Sequence, residues 1–257
     1  MTFFDSHLHI IDPRFPLIEN QGFVPEPFTC EDYTRRISNF HVIGGAVVSG
    51  SFQGFDQTYL VDALQKLGST YVGVTQLPHT VSDDEIMTLN QKGVRGVRFN
   101  VRRGGSEDIS KLDYLARRVH DVVGWHAEIY IDSKFLPDIA PTIRNLPAVS
   151  IDHLGLSKDG FDTLLFLVDQ GVRVKATGFG RVDIDIKRAI RSIASVNPHA
   201  LMFGTDLPST RARRPFENAD IDILLDALGD VKLSEMVLYR NALQWYRVEM
   251  EGISLKE

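Results

Sequence analysis

A chain of 257 residues that is 43% hydrophobic and 24% charged has an ordinary globular composition, with material for one large α/β barrel or two smaller domains. A net charge of −6 excludes a global field that would favour nucleic acid or an anionic membrane, and neither is expected as a partner. The lone Cys30 excludes an intramolecular disulfide and a cysteine-based zinc cage, and no apolar run approaches the about 20 residues of a membrane span. The N-terminus lacks a basic region followed by an apolar one, so a cytoplasmic enzyme is expected.

The first element is a strand over Phe3 to Ile10, in which alternation places Asp5, His7 and His9 on one face. Two imidazoles two residues apart on a strand can converge on one metal ion or one reacting atom. A bare His-x-His is as easily a pair of hydrogen-bonded core residues. Asp12 to Thr29 reads as a loop rich in proline and aromatic residues, either the wall or lid of a site or a surface excursion packed by its own rings. Thr29 then opens a helix, with Asp32 in capping-box spacing, and Val42 to Val48 forms the second strand.

From there helices and strands alternate. The helices are expected at Gln57–Leu67, Ser82–Lys92, Ser110–Val123, Phe135–Arg144, Phe161–Gln170, Ile184–Ser195 and Ile221–Leu228. The strands between them fall at Tyr71–Thr75, Val94–Asn100, His126–Ile131, Ala148–Asp152, Val172–Ala176 and Ala200–Gly204, and a last helix near Ser234–Val248 packs on afterwards. Gly68, Gly93, Gly124 and Gly171 fit left-handed helix C-caps. This alternation predicts a parallel sheet closed into a (β/α)8 TIM barrel, one domain over residues 1–257. A doubly wound open sheet is the alternative, weakened because His7 and His9 stand where a glycine-rich phosphate loop would follow the first strand.

In such a barrel the C-terminal ends of the strands meet in one pocket. His7 and His9 come from the first strand, Ser51 follows the second, Arg98 lies on the fourth, Tyr130 on the fifth, His153 follows the sixth, Arg181 the seventh, and Asp206 ends the eighth. Any one of these is as readily a surface loop residue. Their shared placement at the same end of successive strands is not what solvation would produce.

The stretches Phe4-Asp5-Ser6-His7-Leu8-His9, Gly93 to Asn100, Gly124 to Tyr130, Asp152-His153-Leu154-Gly155 and Gly204-Thr205-Asp206-Leu207-Pro208 resemble the amidohydrolase superfamily. The resemblance is in particular to the amidohydrolase-2 branch, which contains 2-pyrone-4,6-dicarboxylate lactonase and sugar lactonases. The resemblance implies a reaction centre of Asp206, His7, His9 and His153. It implies carboxylate binding by Arg98, Arg102 or Arg103, and Arg181, with further contacts from Ser51 and Tyr130; guanidinium forks suit that task. For Arg102 and Arg103 a solvated loop pair is the plain alternative. The chain departs from the lactonase pattern at Phe23 in place of a tyrosine, at Leu156 in place of an arginine, and at Ser209 in place of a histidine, followed by Arg211, Arg213 and Arg214.

Many superfamily members supply a metal-ligating histidine from the fifth strand. Here that strand ends in Tyr130, and His126 is at its far end. The resemblance therefore implies a metal-independent lactonase acting on a small anionic lactone, with Asp206 as base for water and the histidines polarising the carbonyl. No cofactor is then expected. The alternative is one divalent metal (Zn or Mn) held by His7, His9, His153 and Asp206, serving a metal-dependent amidohydrolase or decarboxylase on the same barrel. A non-catalytic binding barrel is a third reading, and a homo-oligomer is compatible with all three.

Overall fold

Eight short runs rich in valine, isoleucine and phenylalanine pair in parallel and in chain order in the computed structural model, which describes residues 1–250. They are β1 (Thr2–Leu8), β2 (His41–Val48), β3 (Tyr71–Thr75), β4 (Val94–Asn100), β5 (His126–Tyr130), β6 (Val149–Ile151), β7 (Arg173–Ala176) and β8 (Leu201–Phe203). The ring is drawn closed just beyond β8. Ser6 Oγ donates to the Phe203 carbonyl (2.6 Å), the Asp206 N–H to the His7 carbonyl (2.7 Å), and the His9 N–H to the Leu207 carbonyl (2.7 Å). The strand order never reverses, which rules out a doubly wound sheet and leaves a TIM barrel.

Eight helices cover the outside: α1 (Cys30–Arg36), α2 (Thr58–Leu67), α3 (Asp83–Gln91), α4 (Leu112–Val123), α5 (Leu136–Ile143), α6 (Phe161–Asp169), α7 (Ile186–Val196) and α8 (Ala219–Leu228). Each turns an apolar stripe to the barrel. In α7 the buried set Ala189, Ile190, Ile193 and Ala194 follows helical spacing, and burying each isoleucine contributes about 1.5–3 kcal/mol. Thr29 and Asp32 form the capping box at the start of α1, and Gly124 ends α4 in the left-handed conformation (φ 71°, ψ 26°). No described helix is long and apolar enough to cross a membrane.

The last expected helix is not continuous. It divides into α9 (Val231–Glu235), a π-helical turn (Met236–Arg240) and α10 (Asn241–Tyr246). Asn241, just past the wide turn, donates its amide to the Pro198 and Leu201 carbonyls, which ties this segment to the base of β8. Tyr246 stacks on Phe4 (5.7 Å between ring centroids) and packs with Met202, Val72 and Val74, so α10 closes the floor of the barrel. Above that apolar floor lies a charged layer of Arg98, Glu128, Asp152 and Lys175, and above it the histidines.

The alternation expected along β1 is interrupted. Its pairing with β2 shifts register between Phe3 and Phe4 and between Asp5 and Leu8. His7 and His9 face the cavity, but Asp5 turns to the helix layer. There its carboxylate accepts from the Thr205 N–H (2.8 Å), the Thr205 hydroxyl (2.7 Å) and the Tyr33 hydroxyl of α1 (3.0 Å). Burial pushes the Asp5 carboxyl up to about 6 despite these donors. Asp5 is a clasp between β1 and the chain after β8.

Candidate active site

The side chains at the strand ends converge on one oxygen. Asp206 Oδ1 lies 3.7 Å from His9 Nε2, 3.9 Å from His7 Nε2 and 3.9 Å from His153 Nε2, and all four residues are buried. None of these separations is a hydrogen bond. Asp206 Oδ1 and His7 Nε2 are buried without any hydrogen-bond partner. Buried polar atoms are ordinarily satisfied, so two unsatisfied ones, with the Nε2 atoms of His9 and His153 converging on the same oxygen, describe a place for something else.

The other ring nitrogens say what that guest must offer. His9 Nδ1 lies 2.7 Å from the Val48 carbonyl, which can only accept; Nδ1 therefore carries the proton and Nε2 presents a lone pair. His9 Nε2 and Asp206 Oδ1 are then two acceptors facing each other, and need a donor or a cation between them. His153 Nδ1 is held by the Thr177 hydroxyl at 2.7 Å, and His7 Nδ1 sits 3.3 Å from Lys175 Nζ. Burial, then Lys175, holds His7 well below the usual imidazole range, and burial pushes His153 down to about 4, so both rings are neutral near pH 7.

The second oxygen of Asp206 is occupied. Arg181 forks onto Oδ2 through Nε (2.8 Å) and Nη2, and reaches the Tyr130 hydroxyl with Nη1 (3.4 Å). Burial alone would raise the Asp206 carboxyl, but Arg181 and then His153 outweigh it and hold it well below the usual carboxylate range. Backbone strain accompanies the geometry. His153 (φ 52°) and Asp206 (φ 60°) both lie in the left-handed region. Of the eight described non-glycine residues with positive φ, six belong to the loops after β6 and β8, which fold back over the cavity. Gly178 (φ 61°) makes this crowding feasible: a Cβ there would meet His153 Nδ1 at 2.7 Å and Arg181 Nε at 2.9 Å.

Two cavities that share Arg103, Tyr130, Arg181 and Arg211 in their walls open above this centre. The inner one, about 30 Å³, has room for a water molecule and is bordered by His9, Ser51, Arg98, Tyr130 and His153. The outer one, about 360 Å³, is lined by Arg102, Arg103, Arg181, Arg211 and Arg213, with Lys134 and Asp132 at its rim. Arg98 is almost fully buried. It binds Asp152 Oδ2 through Nη2 (2.7 Å) and Nε (3.3 Å), and the Ser49 carbonyl through Nη1 (2.8 Å). Arg103 borders both cavities, while Arg102 is exposed and reaches only the outer one. His126 lies below the site with its ring against Trp245 and Tyr246, away from the three converging imidazoles.

The Asp12–Thr29 loop lines neither cavity but braces two arginines that do, Arg103 and Arg211. Asn20 and Gln21 both donate to the Arg103 carbonyl, Arg211 bonds Asn20, and the Arg211 guanidinium lies over Phe23 at 4.3 Å. Leu156 lines the outer cavity, and Arg214 turns away to pair with Asp220 at the start of α8. Residues that strand-end reasoning left out are Lys175, Glu128, Asp152, Thr177 and Gly178, together with Arg211 and Arg213, noted in the sequence only as a departure. The signal for the first three was a charged residue inside an otherwise apolar strand or at its very end.

The amidohydrolase family model (Amidohydro_2) matches residues 4–248. A 4-sulfomuconolactone hydrolase of Rhizobium radiobacter is 26% identical, with 95% of this chain and 89% of that protein covered. A 2-pyrone-4,6-dicarboxylate hydrolase of Comamonas testosteroni is also 26% identical, over 94% of this chain and 89% of that protein. Among solved structures, a probable 2-pyrone-4,6-dicarboxylic acid hydrolase of Acinetobacter baumannii with citric acid bound superposes with a TM-score of 0.84 at 21% identity, covering 96% of this chain and all of that one. With the family model spanning nearly the whole barrel and both halves of the site, the chain belongs to the amidohydrolase family.

Proposed function

We propose that this protein hydrolyses a small lactone bearing at least one anionic group, using Asp206 to activate water. The observation that carries the reading is the facing pair of acceptors, His9 Nε2 and Asp206 Oδ1, 3.7 Å apart beside a cavity of water size. A water there can donate one proton to each, leaving a lone pair free to attack a carbonyl carbon. In this reading His7 and His153, whose Nε2 atoms lie 3.9 Å from the same oxygen, donate to the carbonyl oxygen as it gains charge. As water adds, its proton passes to Asp206; when the ring C–O bond breaks, that proton goes to the departing oxygen. Both sulfomuconolactone hydrolase and pyrone dicarboxylate hydrolase are named for anionic lactones, which accords with the arginine-lined outer cavity here.

At rest Asp206 is a weak base because Arg181 engages its outer oxygen. An anion in the outer cavity that draws Arg181 toward itself strengthens that base, so substrate charge serves turnover as well as binding.

The donor set also fits a divalent ion: His7, His9 and Asp206 offer ligand atoms within 4.8 Å of one another, and two of those atoms are buried without partners. A Zn or Mn ion held by His7, His9, His153 and Asp206 would supply Lewis acidity and a more acidic bound water. We favour the water reading because Lys175 beneath His7 and Arg181 on Asp206 place two cations beside the same position. The experiment is a panel of carboxylated lactones and their neutral analogues, read with a pH indicator, before and after chelation. Turnover of anionic lactones that survives chelation is expected. Turnover of no lactone would sink the reaction class, and loss on chelation with recovery on added Zn or Mn would select the metal reading.

A further inference from the structure

Lys175 is the only lysine among the described residues that is fully buried, with 0% exposure, and none of the hydrolytic steps uses it. It lies on β7, inside the barrel, below His7. Its ammonium pairs with Glu128, stands 4.0 Å from Asp152 Oδ1, and has the Tyr246 ring beneath it at 5.8 Å. With Arg98 on Asp152, two cations and two carboxylates make a neutral buried layer. Such a layer is a poor stabiliser: apolar residues of similar volume often do as well or better once the desolvation of the ions is counted. What the layer offers that apolar packing cannot is a directed proton donor, and its upper face meets a single group of the reaction centre, His7 Nδ1, at 3.3 Å.

That nitrogen has three candidate partners. Lys175 Nζ can only donate to it, whereas Asp152 Oδ1 at 3.5 Å and Glu128 Oε1 at 3.7 Å can only accept from it. The two outcomes give His7 opposite roles. If Nδ1 donates downward to a carboxylate, Nε2 presents a lone pair to the centre. If Nδ1 accepts from Lys175, Nε2 carries the proton. The contact to Lys175 is the only one of the three that makes a hydrogen bond. Lys175 and Arg98 engage the other oxygen of each carboxylate, Glu128 Oε2 and Asp152 Oδ2, and leave Glu128 Oε1 and Asp152 Oδ1 without a hydrogen-bond partner, beyond hydrogen-bond geometry from His7.

We propose that Lys175 is a positioning residue that donates to His7 Nδ1 and thereby holds His7 in the Nε2–H tautomer, making it the hydrogen-bond donor of the centre while His9 is its acceptor. The neighbouring histidines of one strand are thus given complementary polarity, one by an ammonium below and one by the Val48 carbonyl. The role assigned to the Nε2–H group rests on the hydrolytic reading; the tautomer itself does not.

The test is a long-range proton–nitrogen correlation on protein labelled with 15N-histidine, with His7 assigned by the signals lost in His7→Gln. A protonated Nε2 and a bare Nδ1 are expected in the unaltered protein. In Lys175→Met this pattern is expected to disappear, and in Lys175→Gln, whose amide keeps a donor without the charge, to persist. With an anionic lactone, Lys175→Met should lower kcat by about 10²-fold, the loss of one donor to the developing oxyanion, while KM changes less than threefold. Lys175→Gln should recover most of kcat. A bare Nε2 in the unaltered protein, or the same tautomer in Lys175→Met, overturns the proposal. Should Lys175→Met fail to fold, the unaltered protein and Lys175→Gln decide it, and the tautomer is read whether or not any lactone is turned over.

Discussion

The inner centre and the outer cavity are built on opposite principles. In the inner centre every charged group is buried and held by another: Arg98 by Asp152, Lys175 by Glu128, Asp206 by Arg181. The outer cavity is a loop-built mouth whose arginines other than Arg181 (Arg102, Arg103, Arg211 and Arg213) are half-exposed or exposed. A change in the first region leaves an uncompensated partner in low dielectric, so its cost falls on chemistry or on the fold. A change in the second removes a screened attraction and falls on binding. Mutations that fail to divide along this line would break the comparison.

The largest effect is expected at Asp206. Asp206→Asn keeps the shape of the group and removes the proton acceptor, so kcat should fall by about two to four orders of magnitude with binding of an anionic lactone preserved. Steady-state kinetics checks it, and near-normal kcat would remove Asp206 from the mechanism. Arg98→Met comes next. It leaves Asp152 buried beside Glu128 with one cation for two carboxylates, and should cost about 3–5 kcal/mol of folding stability in urea titration. If stability is unchanged and only KM rises, Arg98 belongs functionally to the mouth.

How much of this was legible in the sequence follows the same division. The barrel was readable because helical and strand spacing alternate through the chain. The convergence of His7, His9, His153 and Asp206 was readable because each terminates an apolar run, and a barrel gathers such ends at one rim. The charged layer was not. Glu128 and Lys175 stand in alternating strands, where a polar residue between apolar ones normally faces solvent. In a closed barrel the second face is the interior, so the same pattern buries the charge. Arg211 was illegible for a different reason: its place depends on Asn20 and Phe23, nearly two hundred residues away and joined to it only by the folded loops. The bulge that turns Asp5 away left no mark in the spacing at all.

Acid should also distinguish the regions. Burial disfavours the imidazolium of His153 and pushes it down to about 4 in the folded chain, against the ordinary imidazole value of 6.5. Between those values the unfolded chain binds the extra proton and the folded chain does not. Stability is therefore complete above pH 6.5 and is lost as pH falls toward 4, by on the order of 3 kcal/mol. Urea titrations at pH 7 and pH 4.5 should show the loss, and His153→Gln should shrink it. An equal loss in that variant would place the acid sensitivity elsewhere.

The smallest effects, and the sharpest contrast, are expected within the outer cavity itself. Arg211 is stacked on Phe23 and bonded to Asn20, so its guanidinium is already oriented and little entropy is lost when an anion binds. Arg211→Met should raise KM for an anionic lactone by about 1.5–3 kcal/mol, the range of a charge-assisted bond. Arg102 has its backbone pinned by the Tyr130 carbonyl, but its side chain is exposed and borders only the outer cavity. Arg102→Met should therefore change KM by less than about 1 kcal/mol, and that difference should vanish at high salt, because a solvated charge acts through a screened field. Measuring KM for both variants at low and high ionic strength separates an oriented anion site from a diffuse one. Equal effects that salt erases alike would mean the mouth attracts anions only through its overall charge, and that Phe23 and Asn20 hold Arg211 for the sake of the loop alone.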